Sequence, residues 1–258
     1  MDRETAKALV DALAAASGIV AVVGAGGKKS TLYRLLEAHR TLGTRRVLLT
    51  STVQIAATRA TPDVETLIVD GDARATIAAM QGRAGAFLVA GPPTGPGRFS
   101  GLPEDLIPHL HEKGAFEVSL VKSDGARMRM IKAPRDGEPA LPDGVSTVIP
   151  IVAARVFDRP LTEKLAHRPE RLLEIIGADI GTAITPDHVA RLLANPEGAL
   201  RRSGNAWVAP VINMVDGPER LALAREAAKK ALAMTDRFDR VVLASMTSPT
   251  PLIEVVTG

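Results

Sequence analysis

The chain has 258 residues, of which 46% are hydrophobic and 24% charged, and 32 lysines and arginines against 29 aspartates and glutamates leave a formal charge of +3. That length supports a sizeable core in one large domain or a domain with a smaller appendage. The composition excludes a disordered chain, and so slight a basic excess with 3% aromatics supplies neither the electrostatic footprint nor the stacking platform of a nucleic-acid binder.

The absence of cysteine removes disulfides, thiolate metal sites and sulfur nucleophiles, and fits a reducing compartment. The opening Met1-Asp2-Arg3-Glu4 leads into an Ala-rich helical pattern and not into a secretory leader. No apolar run approaches the roughly 20 residues of a membrane span. The expectation is a cytoplasmic protein without membrane or nucleic-acid partners.

In chain order, helical spacing over residues 5–16 gives way at Ser17-Gly18 to the apolar run 19–23, which reads as a buried strand. A second helix over 30–42 places Leu32, Leu35 and Leu36 on one face and stops at Gly43. Residues 47–50 form a strand, 66–69 a further apolar segment, about 73–80 an Ala-rich helix and 86–90 another buried strand. The segment Gly91-Pro92-Pro93-Thr94-Gly95-Pro96-Gly97 is expected to be a loop, since proline lacks the amide donor and glycine carries excess entropy. A helix over about 103–113 precedes the strand 118–121, which ends in Lys122-Ser123-Asp124-Gly125. Residues 125–142 read as an irregular basic excursion and 145–153 as a strand. Short helices at 168–176 and 186–193 suggest a small helical appendage at about 160–200. A strand at 208–212, a long helix at 218–234, a strand at 240–244 and an edge strand at 253–256 complete the pattern. Alternation of this kind predicts an α/β fold, a three-layer P-loop NTPase-like arrangement with a mostly parallel sheet, forming a single domain over 1–258.

Between the first strand and the second helix stands Gly24-Ala25-Gly26-Gly27-Lys28. Clustered glycines at a helix N-terminus aim several backbone amides at one point, and the helix dipole adds positive potential, so the loop is expected to hold phosphate oxygens, with Lys28 as the mobile charge. The usual loop has another glycine five positions before its last glycine and a Ser or Thr after the lysine to ligate magnesium. Here those positions are Val22 and Lys29, and the hydroxyls of Ser30 and Thr31 stand one and two places further on. Residues Gly24 through Thr31 are the nucleotide-binding candidates, with Ser30 and Asp124 the candidates for metal; a plain glycine-rich turn with exposed lysines is the competing reading.

Several segments together resemble the YqeC-type family, described as selenium-dependent hydroxylase accessory or selenium cofactor biosynthesis proteins. They are the loop Gly24-Ala25-Gly26-Gly27-Lys28-Lys29, the strand end Thr50-Ser51-Thr52-Val53-Gln54-Ile55, and the run from Lys122-Ser123-Asp124-Gly125-Ala126 through Lys132-Ala133-Pro134 to Glu138-Pro139-Ala140-Leu141-Pro142. This run follows a pattern like EADGAxxxPLKAPxxxEPxIP. His167-Arg168-Pro169-Glu170 and Val211-Ile212-Asn213-Met214-Val215-Asp216 agree with it further on. The resemblance implies a protein that binds ATP or GTP, with magnesium, in the service of a selenium-dependent molybdenum hydroxylase or its cofactor-maturation proteins. Two family positions depart from the pattern: the Thr after the lysine is Lys29, and the Glu two places before the Asp is Lys122. Both changes weigh against metal-dependent hydrolysis, while two added positive charges favour holding polyphosphate.

Lys28 and Asp124 are the candidate catalytic pair. Asp124 suits a magnesium carboxylate opposite a phosphate loop, and equally a turn-forming Asp-Gly. Arg127, Arg129, Lys132 and Arg135 form a basic cluster from which Arg127 and Lys132, together with His167 and Arg168, are candidates for an anionic ligand. Glu138 is placed to pair with one of these cations. Asn213-Met214-Val215-Asp216 resembles the NKxD base-recognition element of guanine-nucleotide proteins, with helix capping by Asp216 as the alternative. Thr50, Ser51 and Thr52 could contact phosphate or orient a water. His109 and His111 lie two apart on a helix and point to different sides, which disfavours a paired metal site. Three functions follow as expectations: a triphosphate-binding accessory protein, an authentic NTPase or small-molecule kinase, and a nucleotide sensor or scaffold without turnover.

Overall fold

A computed structural model describes residues 1–56 and 64–258. The chain runs α1 (Arg3–Ala12), β1 (Gly18–Gly24), α2 (Lys28–Leu42), β2 (Arg46–Ser51), β3 (Ile55–Ala56), β4 (Val64–Ile68), α3 (Ala73–Met80), β5 (Gly85–Ala90), β6 (Pro93–Gly95), β7 (Arg98–Phe99), α4 (Leu106–Lys113), β8 (Val118–Lys122), β9 (Ile131–Lys132), β10 (Val145–Ala153), β11 (Ala166–His167), α5 (Pro169–Ile176), α6 (Pro186–Ala194), β12 (Trp207–Val208), β13 (Val211–Asn213), α7 (Pro218–Met234), β14 (Arg240–Ala244) and β15 (Leu252–Thr257).

Among the described residues the main sheet has 10 strands in the order β15-β14-β13-β10-β1-β8-β2-β5-β4, with β12 also paired to β10. All neighbours are parallel except β14 and β15. Period-two alternation sorts the strand residues between two faces. Val20 and Val22 of β1, Val47 and Leu49 of β2 and Leu120 of β8 pack with Leu9 of α1 and with Leu32, Leu35 and Leu36 of α2. Ile19, Leu48 and Val121 face the other way, onto Ile77 of α3 and Ile107 and Leu110 of α4. On that second face, Ile212, Val241 and Leu243 pack with Leu172 of α5, Leu192 and Leu193 of α6 and Ala224, Ala227 and Ala228 of α7. The result is a three-layer, mostly parallel α/β fold, as the alternation of elements predicts. α5 and α6 share the cluster that α7 and the sheet build.

Three local expectations are corrected. The Pro- and Gly-rich 91–97 is not wholly loop: β6 pairs antiparallel with β7, and β7 with β3, in a small separate sheet. A proline is tolerated there because the strand is an edge strand, where no ladder donor is required. The excursion 125–142 contains β9, which pairs in parallel with β11 and ties the segment to the start of α5. The strand expected at 208–212 divides at Ala209-Pro210 into β12 and β13, both parallel to β10.

Because the central strands are parallel, β1, β2, β8, β10, β13 and β14 all end on one edge of the sheet. The glycine loop, Asp124 and the Asn213–Asp216 segment therefore meet there, which is where open parallel sheets form their crevices.

Candidate functional site

Strand β1 delivers the glycine loop straight to the first turn of α2. That helix begins without a side-chain cap, at Gly27, so its leading amides have no partner within the helix. Gly26 and Gly27 have φ of 92° and 129°, and each is also closely packed. A Cβ at Gly26 would lie 2.6 Å from Ala153, and one at Gly27 would lie 2.0 Å from Asn213 Nδ2. Both glycines thus serve a positive φ and a close approach at once.

Lys28, Asp124 and Lys132 form a buried charge cluster beside the loop, with exposures of 6%, 2% and 4%. Lys28 Nζ lies 2.8 Å from Asp124 Oδ1 and donates to the Gly24 carbonyl. Asp124 Oδ2 accepts from the Gly24 N–H at 2.9 Å and from Lys132 Nζ at 2.8 Å. Lys132 Nζ also donates to the Gly125 carbonyl at 2.8 Å and lies 2.7 Å from Glu138 Oε2. Glu138 in turn takes a bidentate contact from Arg168, at 2.7 and 2.8 Å. The pairing expected of Glu138 with a cation of the excursion is thus present, and Arg168 joins it from the head of α5. Fork-to-carboxylate geometry makes that last contact directional as well as charged.

Electrostatics follow from this packing. Burial pushes Lys28 below the ordinary lysine value, while Asp124 opposes the shift. Burial, reinforced by the Lys28 charge, brings Lys122 down to about 8. Burial alone would raise Glu138, but Arg168 and Lys132 hold it at about 2. Burial and the positive Arg168 and Lys132 take His167 down to about 4, so it is neutral at pH 7.

The other candidates are distributed around this cluster. Lys29 is exposed, with its ammonium 5.8 Å from the Tyr33 ring centroid. Ser30 is half-buried in the first turn of α2. Thr31 is fully buried and its hydroxyl donates back to the Gly27 carbonyl at 3.2 Å, so it faces its own helix and not the loop mouth. Lys122 donates to the Gln54 carbonyl at 2.7 Å. Arg127 is exposed at the excursion's tip, where Arg127 and Met128 have φ of 44° and 60°. The hydroxyls of Thr50, Ser51 and Thr52 donate to the carbonyls of Val89, Lys122 and Ala140 and so brace the strand ends. Under Asp124 and Lys132 a cavity of about 20 Å³, walled by Pro134, Pro139, Leu192 and Leu193, has the space of one water.

At the other end of the edge, Asn213 is 2% exposed. Its Nδ2 donates to the Gly26 carbonyl at 2.8 Å and its Oδ1 accepts from the Met246 N–H at 3.0 Å. Asn213 therefore supports the loop from behind. Asp216 does not cap α7, whose N-cap is Gly217 with no side-chain hydrogen bond. Its Oδ1 accepts from the Ser245 hydroxyl at 2.8 Å and its Oδ2 from Arg155 at 2.8 and 3.2 Å. The Arg155 contact lowers the Asp216 pKa below the ordinary aspartate value. Sequence reasoning missed Arg155 and Ser245; both stand at the ends of sheet strands, but no local motif marks either.

Among the described residues no cluster of three or more His, Asp or Glu side chains is arranged to hold a metal, and no helix is long and apolar enough to cross a membrane. The protein is similar to the Escherichia coli (strain K12) protein titled "Uncharacterized protein YqeC", with 26% identity over 183 residues, covering 71% of this chain and 70% of that one. The family described as "YqeC protein" matches residues 20–170, a span that takes in the glycine loop, the Asp124 strand end and the excursion with Lys132 and Glu138, and the chain belongs to that family.

Proposed function

We propose that this protein binds a nucleoside triphosphate at the carboxyl edge of its sheet, with the phosphates on the Gly24–Lys28 loop and the first turn of α2, and that it acts as an accessory protein. The observation that carries this reading is the buried Lys28 ammonium on an uncapped helix N-terminus, beside a carboxylate from the adjacent strand. Uncapped amides and a helix dipole favour an anion there. Lys28 is held by contacts that a phosphate oxygen can replace.

The base is best placed two strands away, near Asp216. Parallel strands lie about 4.8 Å apart, so the step from β1 to β13 spans roughly 10 Å, the reach of a ribose with its first phosphates. A carboxylate that accepts two hydrogen bonds matches the paired ring and exocyclic N–H donors on the edge of guanine, which favours GTP over ATP. The resemblance supports service to a selenium-dependent molybdenum hydroxylase or its maturation proteins. Without cysteine the chain cannot carry selenium on a thiol of its own, so its part in such a process would be phosphate chemistry or docking.

A second reading, a sensor or scaffold that binds without turnover, is favoured by Lys29 after the loop lysine and by the two ammonium groups on Asp124. Calorimetric titration with GTP, ATP and CTP, followed by a phosphate-release assay, tests both readings. Lys28→Ala is expected to weaken triphosphate binding by about tenfold or more, since charge-assisted contacts contribute roughly 1.5 to 3 kcal/mol. Unchanged affinity would remove the loop from the site, and metal-dependent phosphate release would favour an NTPase or kinase.

A further inference from the structure

Polyphosphate is normally taken up with magnesium, which needs a hydroxyl after the loop lysine and a carboxylate with open lone pairs. The residues here do not fit that ion. The position after Lys28 carries an exposed lysine. Both acceptor directions of Asp124 Oδ2 are used, by the Gly24 amide and by Lys132. Oδ1 has Lys28 Nζ at 2.8 Å, so a divalent cation bound there would stand within a few ångströms of two ammonium groups.

We propose that the protein takes its polyphosphate ligand as the metal-free anion, with the Lys132 ammonium fixed on Asp124 in the place a divalent cation would occupy. This rests on the triphosphate reading above and makes Lys132 a positioning residue. A lysine ammonium has three donors; Lys132 directs two of them to Asp124 and the Gly125 carbonyl and lies at ion-pair distance, 2.7 Å, from Glu138. Arg168 holds Glu138 by a bidentate contact, so moving Lys132 off Asp124 to admit a metal would also cost its contacts with the Gly125 carbonyl and the fixed Glu138. Among the described residues, the counter-charges shown for Lys28, Lys122, Lys132 and Arg168 are Asp124 and Glu138. The surplus is positive, which suits an anion carrying its full charge. Lys28 stands at the loop itself; its contact with Oδ1 lies at ion-pair distance but is not aligned as a hydrogen bond, so transfer to a phosphate oxygen gives up one aligned bond, to the Gly24 carbonyl.

The test is calorimetry on the full chain with GTP and ATP, first in excess EDTA and then with millimolar magnesium. Magnesium chelates the triphosphate and so depletes the metal-free ligand, and the apparent affinity of the tighter nucleotide is expected to weaken by about tenfold or more on adding it. Lys132→Gln is expected to weaken binding in EDTA by about tenfold or more, with magnesium restoring part of the loss once Asp124 is released. An affinity that is unchanged or tightened on adding magnesium would overturn the inference, since the metal complex would then be the ligand or an equal one, and would leave the nucleotide site standing. Absence of binding in both conditions would overturn the nucleotide reading and this inference together. The comparison on the unaltered protein decides the matter even if Lys132→Gln does not fold.

Discussion

Asp124 and Asp216 stand just past the ends of parallel strands on the same edge of one sheet, and their surroundings have little in common. Asp124, with a side-chain exposure of 3%, is gripped by two ammonium groups and a backbone amide. Asp216, at 34%, holds an arginine that is itself 49% exposed, and a serine hydroxyl. A buried carboxylate with buried partners is part of the framework, because removing it leaves their charges unpaired in a medium that solvates them poorly. A carboxylate on the rim exchanges partners at small cost, since exposed ion pairs are worth little. The glycine-loop end of the edge is thus held by buried contacts, whereas the other end is open to exchange.

The sharpest way to break this contrast is to remove each carboxylate in turn. Asp124→Ala strands Lys28 and Lys132 and is expected to destabilise the fold by about 3 to 5 kcal/mol, read as a shift in the urea midpoint; a change below about 1 kcal/mol would show that the cluster is not a framework element. Asp216→Asn is expected to leave that midpoint within about 1 kcal/mol of the starting protein. The same substitution should lower the preference for GTP over ATP by about tenfold or more, through loss of a charge-assisted contact. An unchanged preference would take Asp216 out of base recognition.

The smallest expected effect is in pH dependence, and it belongs to the Asp124 side. His167 has its folded pKa lowered to about 4, so in acid the unfolded chain binds the proton first. Stability is therefore lost as pH falls from the ordinary histidine value of about 6.5 towards 4. Glu138, held at about 2, extends the loss below the ordinary glutamate range by the same sign. Midpoints measured across this interval should fall less steeply for His167→Gln, and an unaltered slope would place the acid sensitivity elsewhere.

Much of the fold was legible because its signals are local. The apolar runs of β1, β8 and β10 and the helical period of α7 appear in the sequence within a residue or two of their ends. The glycine loop and the strand-terminal Asp124 were visible for the same reason. What escaped was long-range. Nothing near Lys132 indicates that its strand will pair with residues 166–167, or that Arg168 will return to Glu138. Hydroxyls at a strand end such as Thr50 to Thr52 look the same in sequence whether they face a ligand or brace a carbonyl. The pairing of Asp216 with Arg155 and Ser245 joins residues 61 and 29 positions apart, beyond what any periodicity records.

Asn213 links the two ends with one amide group, its nitrogen on Gly26 and its oxygen on Met246, the neighbour of Ser245. The glycine loop and the turn that carries Ser245 are thus tied to one buried side chain, and Asn213→Ala would cut both ties at once.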